Sequence, residues 1–343
     1  MTAWRRAAAL LEVFGVFLAG PLVAGLLIQW FGLRLVNPLQ GFTVAITDAE
    51  LITAARQILV LLVVQYAGYF LLAIPINWWH RRRGPAAYGL TRAGQPWTLL
   101  LLAGVATAAL AAWPVVGLQV VDATYNLGET VPWRQAIFDT SWLRWEFWLF
   151  TAVASWGFSA FVEELFFRGY CQRRLAEDWG NGPAILGVAC LCTFAHSQYL
   201  RPDAYNVGMI ASVFILSIGL GVVFAWTRSL VPSYIAHAII NVPMTPRWQV
   251  VVVIAMAIGT IVFAYRGASV LKQVFSGATV VGCFALAVVG TGWAIAAQRV
   301  AHLDYVAAGM VVVAVGLYVV DRLRARQSAA VDAPGSTMAQ GGF

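Results

Sequence analysis

Two adjacent carboxylates and an arginine stand inside an aromatic, apolar run: Phe161-Val162-Glu163-Glu164-Leu165-Phe166-Phe167-Arg168-Gly169-Tyr170. Glu164 and Arg168 are four apart, so on a helix they share a face and can pair, whereas Glu163 lies one residue, about 100°, around the axis. A carboxylate held beside a fixed guanidinium but not consumed by it is suited to act as a general base on water. Two further segments carry imidazoles: Thr193-Phe194-Ala195-His196-Ser197 and Tyr234-Ile235-Ala236-His237-Ala238-Ile239-Ile240-Asn241. His237 and Asn241 are again four apart, which brings an imidazole and an amide to one spot. The candidate chemistry is general-base activation of water, and the candidate residues are Glu163, Glu164, Arg168, His196, His237 and Asn241.

The plainer reading is structural. Glu164 and Arg168 can simply hold helices together, Glu163 can sit near headgroups, and a lone histidine in an apolar helix is often an interhelical hydrogen-bonder. Three separate apolar segments each offering polar groups are harder to explain by packing. A charge in hydrocarbon costs about 2.5 kcal/mol or more, so it persists where it is paired or used.

The surroundings set that cost. Of 343 residues, 61% are hydrophobic and 11% charged, with mean hydropathy +0.76. A soluble domain carries about a quarter charged residues. Apolar stretches of the length that crosses a bilayer recur along the chain, near 13–32, 54–79, 98–120, 146–170, 183–200, 207–227, 230–245, 248–265, 276–297 and 303–321. The expected fold is therefore all-α, a polytopic transmembrane bundle of about 10 spans, because a helix satisfies its own backbone in lipid. The fifth and seventh spans are short and polar, and they hold His196 and His237.

Threading the spans with the N-terminus inside puts most arginines, among them Arg5, Arg6, Arg81, Arg82, Arg83, Arg173 and Arg174, on the cytoplasmic side, and both termini cytoplasmic. The net charge of +7 thus reports topology and no nucleic-acid partner. The run from Val13 to Phe31 after Arg5 and Arg6 is longer than a signal-peptide core and lacks a clear cleavage site, so it is expected to stay as a first membrane helix. Trp78, Trp79, Trp97, Trp142, Trp145, Trp148 and Trp248 cluster near span ends as interfacial anchors. Cys171, Cys190, Cys192 and Cys283 lack disulfide-framework spacing and read as small buried hydrophobes. The organisation expected is N-terminal helices over 1–145, a core over 146–245, C-terminal helices over 246–326 and a disordered tail over 327–343.

The run Glu-Glu-x-x-x-Arg at Glu163, Glu164 and Arg168, then His196, then His-x-x-x-Asn at His237 and Asn241, resembles the CAAX prenyl protease and bacteriocin-processing (CPBP) family of intramembrane proteases. The resemblance covers about residues 146–245; each motif alone is weak, and the three in order are specific. One departure is that the family's phenylalanine four residues before the second-motif histidine is here Cys192, with Phe194 nearby. The resemblance implies endopeptidase cleavage of a membrane-associated, lipidated or leader-type peptide in a cavity open to the cytoplasm. It implies Glu163 as general base, His196 orienting water or holding a metal, His237 and Asn241 as oxyanion donors, and Arg168 pairing with Glu164. It implies Glu163, His196 and His237 as the ligands where Zn²⁺ is used; the His-Glu-x-x-His helix of soluble zincins is absent from the sequence. The expected partners are a peptide or membrane-protein substrate and the lipid bilayer.

Two rival classes remain at this point. One is a non-catalytic immunity or scaffold protein of the same fold, and the other a proton-coupled transporter, since buried Glu, Arg and His also build proton relays. With Lys272 the one lysine among 22 basic residues, a prokaryotic cytoplasmic (plasma) membrane is the expected location.

Overall fold

The structure, a computed structural model, describes residues 3–33, 48–80, 84–125, 145, 149, 152–196, 199 and 204–241. Over these residues the chain is all-helical and contains no strand. The elements are α1 (Ala3–Trp30), α2 (Asp48–Trp79), α3 (Trp97–Tyr125), a continuous helix α4 over 152–179, α5 (Asn181–Ala195), α6 (Ala204–Thr227) and α7 (Leu230–Ile240). Among the described residues three stretches, Trp4–Trp30, Leu59–Trp79 and Ala204–Thr227, are long and apolar enough to cross a membrane. The eighth to tenth expected spans, Cys283 and the tail lie outside the described residues.

Two of the expected spans are corrected by the helices themselves. The fifth runs for 15 residues and stops at Ala195, so His196 follows the helix rather than sitting within it. The seventh covers 11 residues to Ile240, with Asn241 at its C-cap. At 1.5 Å per residue neither reaches across about 30 Å of hydrocarbon. Both therefore end among other helices, which is where a polar helix terminus can find partners.

The aromatic repeat of α4 makes the core. Phe166, Phe167 and Tyr170 pack with Phe17 of α1, Tyr66 and Tyr69 of α2, and Val188 and Leu191 of α5, all buried. Phe166 stacks on Tyr69 at 4.3 Å between centroids. Apolar side chains also cover the outer surface: Leu22, Leu26, Leu71, Ile74, Leu101 and Leu102 are exposed. A helix apolar on every side suits a bundle whose outer solvent is lipid. Trp78, Trp79, Trp97 and Trp145 are exposed, as interfacial anchors should be; Trp142, Trp148 and Trp248 lie outside the described residues. Cys171 and Cys192 are buried and Cys190 partly so.

Close approach of α1 and α2 depends on Gly68. A β-carbon there would stand 2.3 Å from the carbonyl oxygen of Gly20 and 2.9 Å from the Ala24 nitrogen, so backbone meets backbone. Gly68→Ala is expected to lower Tm in detergent by several degrees, whereas Gly25→Ala, whose β-carbon meets nothing within 4 Å, leaves it unchanged. Equal melting of the two variants would contradict the contact.

The N-terminal end of α1 is tied to the far end of α4 by charge. Glu12 accepts from Arg174 Nε at 2.7 Å and lies 3.2 Å from His80 Nε2, and Arg174 also donates to Asp178 at 2.6 Å. Burial works against the charge of Arg174, yet Asp178 and Glu12 hold its pKa above the ordinary arginine value. Among the described residues Asp178 Oδ1 accepts no hydrogen bond, and Arg5 Nε forms an ion pair with it at 3.5 Å. Arg6 adds Nε–H to the Asp178 carbonyl and a cation–π contact over Trp179. The network docks α1 against the helix that carries the glutamates.

Candidate active site

Helix α4 changes register on both sides of the glutamate pair. Ala152–Ser159 is π-helical, Ala160–Glu164 is α, Leu165–Gln172 is π again and Arg173–Trp179 returns to α. π turns are rare and concentrate at functional sites, because each one re-aims the side chains that follow. Here they bracket Glu163 and Glu164. Helix α7 enters beside them with its start fixed by Ser229, whose side chain accepts from the Val231 amide, and by the Leu230 amide donating to the Gly89 carbonyl at 2.8 Å.

Glu164 and Arg168 are both 0% exposed. Arg168 Nη1 donates to Glu164 Oε1 at 2.8 Å, the i, i+4 pair that the spacing predicts. Its other arm reaches α6, with Nη2 donating to the Ser217 hydroxyl at 2.6 Å and to the Ser217 carbonyl at 3.0 Å. One guanidinium thus fixes α4 to α6 while neutralising a buried carboxylate. Glu164 Oε2 and Arg168 Nε stay without a hydrogen-bond partner among the described residues.

Glu164 Oε1 accepts a second bond. His237 Nδ1 is 2.9 Å from it, and since a carboxylate only accepts, that nitrogen carries the proton. The far nitrogen, Nε2, then faces Glu163 Oε2 at 3.8 Å, too long for a direct bond. Glu163 Oε1 accepts from Ser159 Oγ at 2.6 Å. Glu163 and His237 are buried, and the two side chains converge from α4 and α7.

Asn241 caps α7, its amide donating to the His237 carbonyl at 3.0 Å, so the two motif residues do lie at one helix end. His196 ends α5. Its Nδ1 is 2.8 Å from the Cys192 carbonyl, which can only accept, so Nδ1–H caps an otherwise free helix-terminal carbonyl and leaves Nε2 with its lone pair. The ring lies parallel to Tyr199, centroids 6.5 Å apart. Glu163 is within electrostatic reach of His196 as well as of His237.

Glu163, Glu164, Arg168 and His237 therefore form one contiguous network, with Asn241 on the adjacent turn and His196 at a neighbouring helix end. Among the described residues no three His, Cys, Asp or Glu side chains are grouped to hold a metal ion. Two residues of the network escape a sequence reading. Ser159 offers only its i, i+4 spacing to Glu163, and Ser217 gives no sign until α6 is known to cross α4. Glycines on α6 permit close contacts: a β-carbon at Gly208 would stand 2.5 Å from Leu118, one at Gly219 3.7 Å from Thr107, and one at Gly221 3.0 Å from Gln172 and Ile185.

No curated protein and no solved structure matches the chain. Residues 143–243 match the family model described as type II CAAX prenyl endopeptidase Rce1-like. That interval holds α4 to α7 and every motif residue of the network. With its motifs in order and three helices among the described residues fit to cross a bilayer, this membrane protein is similar over residues 143–243 to the CAAX prenyl protease (CPBP) family.

Proposed function

We infer that the chain is an intramembrane endopeptidase that hydrolyses a peptide bond of a membrane-associated, lipidated or leader-type peptide, using water activated by Glu163. The observation that carries this reading is the 3.8 Å separation of Glu163 Oε2 from His237 Nε2, each ring and carboxylate being fixed from behind. Two polar atoms that far apart cannot bond directly but can both touch one water.

Glu163 takes a proton from that water as it attacks the scissile carbonyl. His237 is set by Glu164, and with both ring nitrogens protonated its Nε2–H donates to the developing oxyanion together with Asn241. In that state two carboxylates face one guanidinium and one imidazolium, so the buried charges sum to zero. His196, its Nδ1–H held by Cys192, presents Nε2 to orient the water. Glu163, now carrying the proton, delivers it to the leaving nitrogen.

No step passes through a metal. The full topology proposed is about 10 spans with both termini cytoplasmic, the cavity opening to the cytoplasm of a prokaryotic plasma membrane. The test is incubation of the purified protein with a set of prenylated and leader-type peptides, with and without EDTA, read by mass spectrometry. One discrete cleavage that survives the chelator is expected. Cleavage lost to EDTA and restored by zinc would replace the metal-free route with a metal-assisted one. Glu163-dependent proton uptake in liposomes without any cleavage would favour a transporter.

A further inference from the structure

Serine and threonine hydroxyls inside these helices have a default partner. Thr107, Thr193, Ser212 and Thr227 each donate to the carbonyl four residues back, at 2.7 to 2.8 Å. Such back-bonding satisfies the hydroxyl without a partner from another helix. Ser159 departs from it, and its hydroxyl donates forward to Glu163 Oε1 at 2.6 Å, the length of a charge-assisted O–H···O⁻ bond. It does so at the last residue of the first π-helical stretch, where amides pair five residues back and the local carbonyls are displaced.

The terminal torsion of a glutamate is soft and roughly two-fold, so nothing in the side chain itself decides which oxygen points where. Glu164 has Arg168 for that purpose; among the described residues Glu163 accepts no hydrogen bond from a cation, His237 Nε2 standing 3.8 Å away. Its orientation comes from Ser159, which is 8% exposed and therefore dry. With Oε1 held, Oε2 is the oxygen turned toward His237.

We propose that Ser159 is a positioning residue for the hydrolysis, pinning one oxygen of Glu163 so that the other is aimed at the attacking water. The proposal rests on the hydrolytic reading above. Ser159 does not itself touch the substrate, and no covalent step passes through it.

The test compares variants of the full-length protein in detergent, each checked for folding by its melting curve. Ser159→Ala is expected to lower kcat about 10- to 100-fold, the range of one hydrogen bond to a charged group, with KM unchanged. Ser159→Thr keeps the donor and should stay within a few-fold of the parent. Ser159→Cys, similar in size but a weak donor, should fall with the alanine variant and serves in its place if Ser159→Ala does not fold. Placed on Glu163→Gln, Ser159→Ala should remove no further activity, as expected of residues acting through one group. Parental rates for Ser159→Ala and Ser159→Cys beside an inactive Glu163→Gln would overturn the positioning role and leave the protease reading standing. So would a rise in KM with kcat intact, or a Ser159→Thr variant as slow as Ser159→Ala. An active Glu163→Gln would instead sink the hydrolytic reading, and this proposal with it.

Discussion

Glu163→Gln is expected to lower kcat for peptide cleavage by about a thousandfold or more, near the upper end of what a positioned general base contributes. Glutamine keeps the size of the side chain, and its carbonyl oxygen still accepts from Ser159 at the 2.6 Å contact. What it loses is the ability to take a proton. Folding should be spared, because Glu163 is not paired with Arg168 and its removal strands no cation. The melting temperature is thus expected to stay within a few degrees of the parent, and KM to change little. A variant that cleaves at the parental rate would remove Glu163 from the chemistry, and a variant that unfolds would make the residue structural.

Arg168→Met is expected to have the largest effect on folding. The guanidinium is fully buried, and its removal leaves Glu164 with a charge in the dry interior opposed, among the described residues, by His237 alone. Breaking a buried pair from one side typically costs about 3–5 kcal/mol, a large share of a marginal stability. The folded yield should collapse or Tm fall steeply. The double variant Glu164→Gln with Arg168→Met should recover much of the loss, since no uncompensated charge remains. Arg168→Lys should not restore the parent, because two arms serve two directions: Nη1 to Glu164 and Nη2 to Ser217 on α6. Unchanged melting for Arg168→Met, or a double variant no better than the single one, would contradict this account of the ion pair.

The ion pair is legible in the residue order because a helix repeats every 3.6 residues, and Glu164 to Arg168 is one turn. The all-helical bundle is legible for a similar reason, since long apolar runs leave helix as the only way to satisfy a backbone in lipid. Hydropathy says less about where a helix stops. It carries the fifth span through His196, yet the His196 ring takes over the Cys192 carbonyl and the helix ends at Ala195. Nor does composition encode hydrogen-bond register, so the two π stretches around Glu163 and Glu164 leave no trace in the residue pattern. Ser217 shows the limit best. Its partner is 49 residues away, and only the crossing of α6 over α4 connects them.

The same limit applies to His237. Its helix face and its partner Asn241 follow from their spacing, but the bond from Nδ1 to Glu164 does not, because the two residues stand 73 apart on different helices. That bond makes Glu164 a hub, with a guanidinium on one side and an imidazole on the other. In the proposed mechanism the pair of glutamates divides its work: Glu164 organises, and Glu163 is held ready by Ser159.

The most direct measurement is the mass spectrum of a cleaved membrane peptide after reaction in H₂¹⁸O. The account predicts a single new C-terminus bearing ¹⁸O from the parent protein and no such product from Glu163→Gln. A folded parent that cleaves none of the peptides, or labelled product formed equally well by Glu163→Gln, would contradict it.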